Sequence, residues 1–372
     1  MTTTSTVELI PRDILFGNPE KSSPQVSPDG TRMAYIAPVN TVLNVWVGTI
    51  GQDDYRPVTQ DTERGVRFYA WAADNRHILY IQDIKGDENW RLYATDLQSG
   101  ETRDLTPFER VQARVVARDK HFPNELLVGL NKDNPQSHDV YHLDLATGEL
   151  ALVTQNPGNI LAWVVDAHLK VRGAMAAAPD GSGAMELLVR ANEDEQWSTL
   201  LTWDADDNQS SGPAGFTLDG QALYLQDSRN VNAGRLVKLE IATGNTTVIA
   251  QDPDYDASSV MMHPDTREVQ AVAFVKDRLE WVVLDESIRA DFDYIRTLHR
   301  GDFAVSSRDH ADKTWIIAFT TDDGPVSYYA YDRATRSATY LFDNQPALKN
   351  YTLSTMQPFT FAARDGLTIH GY

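Results

Sequence analysis

The sequence of 372 residues contains no cysteine, which excludes a disulfide framework, a thiolate metal site and a cysteine nucleophile. Basic charge is scarce as well. The 33 Lys and Arg stand against 53 Asp and Glu, and a formal net charge of -20 repels both a phosphate backbone and an anionic membrane surface. Nucleic acid and membranes are thereby set aside as partners. Long apolar runs are missing, since stretches such as Ile160 to Val165 fall far short of a bilayer span. The opening Met1-Thr2-Thr3-Thr4-Ser5-Thr6-Val7-Glu8 lacks the basic and apolar segments of a secretory leader, so a cytoplasmic soluble protein is expected. No stretch keeps a helical period between caps. Only Val7 to Phe16 reads as helical or extended, and little helix is expected.

What the chain does contain is material for buried cores: 42% hydrophobic residues, with 8 Trp, 15 Tyr and 12 Phe. The acidic surplus serves solubility or draws cationic and amino-terminal peptide groups. One pattern recurs along the sequence: a β-rich run, an acidic residue, a turn residue four positions on, and a second β-rich run. Clear copies are Leu92 to Gly100, Val140 to Gly148, Leu236 to Gly244 and Tyr328 to Arg336, with weaker ones at Asp204, at Asp285 and at Gly51. Glycine at the fourth position supplies the positive φ of a tight connection, and the flanking alternation is that of half-buried strands. The acidic residues 96, 144, 204, 240, 285 and 332 lie 48, 60, 36, 45 and 47 apart, so the fourth unit is displaced or carries an insertion.

A second signal interleaves with the first, a Pro, Asp, Asn or Gly turn before a hydrophobic strand. It occurs at Pro28-Asp29-Gly30, Asp74-Asn75, Pro123-Asn124, Asp180-Gly181, Asp219-Gly220, Pro264-Asp265 and Asp309-His310. Two hairpins per unit of about 47 residues give four strands per unit, a period between those of the WD and kelch repeats. The expected fold is all-β, a seven-bladed β-propeller of four-stranded antiparallel blades. A single sheet cannot bury both its faces, whereas sheets stacked face to face cover one another and leave only short edges.

The chemistry of a self-sufficient enzyme is not legible. No serine has the flanking glycines of a nucleophile elbow, and Gly181-Ser182-Gly183 has them at the wrong offsets. Nine histidines are scattered, and His138 and His142, four apart along a strand, stand roughly 13 Å from each other, too far for one metal. No metal, phosphate-loop or calcium-loop motif appears, so no cofactor is expected. Ser307-Arg308-Asp309 resembles a sialidase Asp-box only faintly, and Trp203-Asp204 stands alone. The most suggestive local cluster is Gly86-Asp87-Glu88-Asn89-Trp90, a solvated turn or a loop that carries carboxylate toward a bound peptide.

Taken in order, Phe16-Gly17-Asn18-Pro19-Glu20, Ser27-Pro28-Asp29-Gly30-Thr31-Arg32-Met33-Ala34-Tyr35, Gly86 to Tyr93, Asp104-Leu105-Thr106-Pro107-Phe108 and Ala363-Arg364-Asp365-Gly366 before Ile369-His370-Gly371-Tyr372 resemble the N-terminal part of the prolyl oligopeptidase family, in its acylaminoacyl-peptidase-like branch. The resemblance covers the whole chain. It implies an N-terminal extension over 1–20, a propeller over 21–355 and, over 356–372, the start of an α/β-hydrolase domain. On that resemblance the Ser, Asp and His of the triad lie outside this chain, which is expected to be an excised or truncated regulatory domain without catalysis of its own. The implied parent is a serine peptidase of short peptides or blocked amino termini, whose propeller excludes folded proteins. The implied partners are the C-terminal hydrolase domain of the same polypeptide and short peptide substrates, with room for a homo-oligomer. Glu88 matches the family's acidic loop residue near the active site, followed by Asp87 and Asn89 as further substrate contacts. The rival readings are a noncatalytic propeller scaffold for protein-protein interaction and, further off, a propeller glycosidase.

Overall fold

Continuous apolar runs mark the middle of each repeat, and they decide how the sheets pack. In the computed structural model, which describes residues 9–372, Glu125–Leu130 is the second strand of its sheet and is buried at five consecutive positions. Leu126 and Val128 point into a core with Leu92, Ala94 and Tyr141, whereas Leu127 points the other way into a core with Val140, Val171 and Trp163. The two-residue period of a strand splits these side chains between the two neighbouring sheets. A strand buried on both faces therefore reads as a run rather than as an alternation.

Among the described residues six four-stranded antiparallel sheets and one of three strands form blades 1 to 7, over 22–57, 68–104, 113–154, 160–203, 212–250, 257–283 and 302–343, each a meander in chain order. The fold is the seven-bladed β-propeller that the repeats lead one to expect. The blades fall into two compact units, Val66–Ala290 and the residues up to Gly65 together with Asp291–Tyr372. Within the first unit blades 2 to 6 follow one another. Leu187, Trp203, Phe216 and Val237 join blades 4 and 5, and Tyr224, Leu236, Val272 and Phe274 join blades 5 and 6. Within the second unit Val26, Met33, Tyr35, Ile316 and Phe342 join blades 1 and 7.

The recurring acidic residue ends the third strand of a blade. Asp96 accepts hydrogen bonds on its side chain from the N–H of Gln98 (2.8 Å) and on its carbonyl from that of Gly100 (2.8 Å), where φ is +79°. Asp144 and Gly148 repeat the device, with φ +80° at the glycine. In blade 7 the corresponding position is Arg336, at φ +49°.

The structure corrects two units. In blade 4 the strand after Asp180-Gly181 is the third, Met185–Val189, and the second is Val171–Ala177. Asp204 follows the fourth strand, Ser198–Trp203, so the irregular 60 and 36 spacings come from a turn assigned to the wrong hairpin. In blade 6 no fourth strand follows Leu279–Val283. Asp285 instead caps a 3-10 turn, its side chain accepting from the N–H of Ser287, and the chain continues into the helix Arg289–Ile295. The expectation over Val7 to Phe16 resolves in part: Arg12–Phe16 is a short helix, and Val7 and Glu8 lie outside the described residues.

The start of that blade 6 helix is locked onto blade 7. Phe292 meets Phe303 edge-on at 5.1 Å. Asp291 accepts from the Tyr331 hydroxyl (2.8 Å) and from Arg333 Nε (2.9 Å). Arg333 Nη1 reaches Asp312 Oδ2 (2.6 Å), while Trp315 Nε1 donates to Asp312 Oδ1 (2.7 Å) and the guanidinium lies 4.5 Å from the Trp315 ring centre. Burial and the Asp291 carboxylate push the Tyr331 phenol well above its ordinary pKa.

A different linkage crosses the first unit. The turn after the first strand of blade 3 carries Asp119, Lys120 and His121, and the equivalent turn of blade 6 carries Asp265 and Arg267. Arg267 Nη2 lies 3.0 Å from Asp119 Oδ2, Lys120 pairs with Asp265, and His121 Nδ1 lies 2.7 Å from Asp119 Oδ1.

Candidate functional site

The loop singled out in the sequence connects the second and third strands of blade 2, His77–Gln82 and Arg91–Asp96. Its backbone takes left-handed conformations at Lys85, Gly86 and Glu88, with φ +56°, +83° and +58°. For the two residues with side chains this costs about 1–2 kcal/mol each, so the surroundings must hold it. Asp83 Oδ2 accepts the Glu88 N–H (3.2 Å), and Gln112 Nε2 donates to the Glu88 carbonyl (3.2 Å). Asp87 Oδ1 accepts from the N–H groups of Ile84 and Asn89, and Oδ2 from Asn89 Nδ2 at 3.1 Å. The Asn89 amide holds the Asp87 carboxyl below its usual range.

The three expected residues thus divide. Asp87 and Asn89 bond each other and fix the turn, whereas the exposed Glu88 carboxylate has no hydrogen-bond or ion-pair partner among the described residues. All three line one cavity of about 620 Å³ built by blades 2, 3 and 4. Its other walls come from the corresponding loop of blade 3, Asn131 to His138, and from the first strands of blades 3 and 4.

The sequence did not single out the rest of this wall. Gln112 Oε1 accepts from both Arg114 Nε (3.1 Å) and Nη2 (2.8 Å), and Arg114 has no carboxylate partner among the described residues. The Gln112 N–H donates to Asn131 Oδ1 (2.6 Å), and Asn131 Nδ2 to the Pro135 carbonyl (3.1 Å), so side-chain amides brace the rim. Four buried side-chain atoms among the described residues lack a partner, and two of them, Ser137 Oγ and His138 Nε2, belong to residues of this wall. Burial, and after it Arg114, hold the His138 imidazole below its ordinary pKa. Trp163 Nε1 donates to the His138 carbonyl (3.3 Å). Val115 and Leu161, 37% and 65% exposed, add apolar surface.

Ser137 Oγ and His138 Nε2 do not bond each other. Among the described residues no three His, Asp or Glu side chains converge as metal ligands, and no helix is long and apolar enough to cross a membrane. A second cavity of about 440 Å³ lies between blades 2 and 3, and there Arg76 pairs with Asp96, His77 with Asp74, and Arg103 donates to the carbonyls of Leu145 and Ala146.

No family model matches the chain. It is 38% identical over 366 residues to dipeptidyl aminopeptidase BIII of Pseudoxanthomonas mexicana, covering 98% of this chain and 53% of that protein. It is 29% identical over 387 residues to dipeptidyl peptidase family member 6 of Caenorhabditis elegans, covering 99% of this chain and 52% of that protein. The chain therefore spans about half the length of these curated relatives. Among solved structures, a Mycobacterium tuberculosis puromycin-hydrolyzing peptidase matches with a TM-score of 0.64 at 12% identity, over 98% of this chain and 60% of that one. A prolyl endopeptidase matches with a TM-score of 0.63 at 11% identity, over 95% and 54%. At those identities the structural matches speak to fold.

Proposed function

We propose, for a chain that belongs with the propellers of the prolyl oligopeptidase family, that it gates the substrate of a serine peptidase acting on short peptides. The observation that carries this reading is the Glu88 carboxylate, unpaired among the described residues, on the wall of a cavity of about 620 Å³ and held there by a strained turn in which Asp87 and Asn89 bond each other. A carboxylate so placed suits the ammonium of a free amino terminus or a cationic side chain. Asp87 and Asn89 support it by keeping the turn in place.

The contribution of the propeller is positional. It forms one wall, limits substrate size and orients the peptide, while the nucleophile, base and oxyanion donors reside on an α/β-hydrolase domain of the same polypeptide. We place the start of that domain at 356–372. Phe359–Ala362 pairs with Thr368–Gly371 through the Asp365-Gly366 turn, and the register puts Phe359, Phe361 and Ile369 on one face, all exposed. An apolar hairpin face of this kind requires a covering sheet or helix.

Two assays test the proposal. The chain alone, offered aminoacyl, dipeptidyl and acylaminoacyl chromogenic amides, is expected to show no turnover above contaminant controls. In the polypeptide that carries this chain with its hydrolase domain, the same substrates decide between a dipeptidyl and an acylaminoacyl branch, and Glu88→Ala is expected to raise KM about tenfold for peptides with a free amino terminus. Unchanged efficiency across several such peptides removes Glu88 from the substrate.

A further inference from the structure

We propose that the cavity between blades 2, 3 and 4 binds a free short peptide by both ends, with Glu88 taking the terminal ammonium and Arg114 the terminal carboxylate. The inference rests on the reading of Glu88 as a substrate contact and adds an anchor of opposite sign, which makes the cavity a gauge of peptide length.

Three observations converge on it. First, a carboxylate and a guanidinium line one cavity and do not pair with each other, and one side chain braces both residues: Gln112 donates to the Glu88 backbone carbonyl and accepts from both Nε and Nη2 of Arg114. Chelation by Gln112 Oε1 fixes the plane of the guanidinium, so a carboxylate meets a pre-oriented fork rather than a mobile side chain. Second, Ser137 is only 5% exposed, yet its hydroxyl has no partner, and neither does His138 Nε2. Buried polar groups left unsatisfied are costly, and a turn of either side chain toward the cavity on peptide binding would bring it the amide N–H and C=O groups it lacks. Third, the exposed Leu161 and Val115 offer aliphatic side chains a surface between the two charges. An extended tripeptide spans about 10 Å, and a cavity of about 620 Å³ admits it.

Trialanine, N-acetyl-trialanine and trialanine amide are titrated calorimetrically into the purified chain and into Glu88→Gln, Arg114→Ala and Arg114→Lys variants. The inference expects acetylation to weaken binding tenfold or more in the wild type and to lose that effect in Glu88→Gln. It expects amidation to do the same through Arg114→Ala, with part of the carboxylate preference restored by Arg114→Lys. If acetylation alone matters, the Arg114 anchor is overturned and the Glu88 reading survives. If amidation alone matters, Glu88 leaves the site and the two-ended geometry falls with it. Absence of binding at millimolar peptide overturns the inference, while the role of Glu88 in turnover is still decided by the KM measurement above.

Discussion

Two polar clusters of similar composition behave in opposite ways in this molecule. Around Arg333 each charge is met: Asp291 and Asp312 bracket the guanidinium, Tyr331 and Trp315 donate to the carboxylates, and an indole face covers the whole. Around Gln112 the charges of Glu88 and Arg114 stay apart, and a buried hydroxyl and a ring nitrogen go without partners. The first arrangement spends its polarity on holding a helix against blade 7. The second leaves its polarity uncommitted to the fold, and it is on that difference that the proposed peptide contact rests.

The contrast can be broken most forcefully at Asp291. Replacement by alanine leaves the half-buried Arg333 with Asp312 as its one carboxylate and the Tyr331 hydroxyl without its acceptor, and a loss of about 3 kcal/mol is expected in urea unfolding. Tyr331→Phe removes one hydrogen bond to a charged acceptor, and a loss of about 1.5–3 kcal/mol is expected from the same measurement. A second closed cluster sharpens the point through pH. Burial disfavours the Asp227 carboxylate, which is 1% exposed, but hydrogen bonds from Arg229 and Trp203 outweigh it and the pKa is lowered. A carboxyl whose folded pKa lies below its unfolded value adds stability above about pH 4 and loses it as the pH falls further. Stability measured against pH is therefore expected to fall on acidification below that point, and Asp227→Asn to flatten that part of the curve. The smallest effects belong to the open cluster. Glu88→Ala and Arg114→Ala are each expected to stay within about 0.5 kcal/mol of the parent in thermal unfolding. Ser137→Ala is expected to match or exceed the parent because it removes a buried hydroxyl without a partner. A loss above about 2 kcal/mol in any of them would make that side chain part of the fold.

How much of this was legible follows from the range of the interactions. The repeat could be read because its mark is local: Asp96 and Gly100 close a turn within five residues. Blade 4 was misread for the same reason, since Asp180-Gly181 offers the same turn chemistry between the second and third strands. The missing strand of blade 6 left only Phe292 and Ile295 as an apolar stripe, too short for a helical period to show. At the site, Asp87 to Asn89 stood out because they are adjacent in sequence, whereas Arg114, Ser137 and His138 reach the cavity from the next blade. The signal for them lay in the repeat itself, because Asn89 and Ser137 are 48 residues apart and occupy equivalent loops.

The ion pairs of Asp119 and Lys120 with Arg267 and Asp265 skip two blades. Successive sheets joined only to their neighbours can flex at every seam, as the links of an open chain do. A strut from the third link to the sixth turns that stretch into a closed linkage, in which no seam can widen unless another narrows or the strut lets go. Because the strut is electrostatic and partly wetted, its stiffness is set by ionic strength, and dissolved salt becomes a dial on how far these four sheets can breathe.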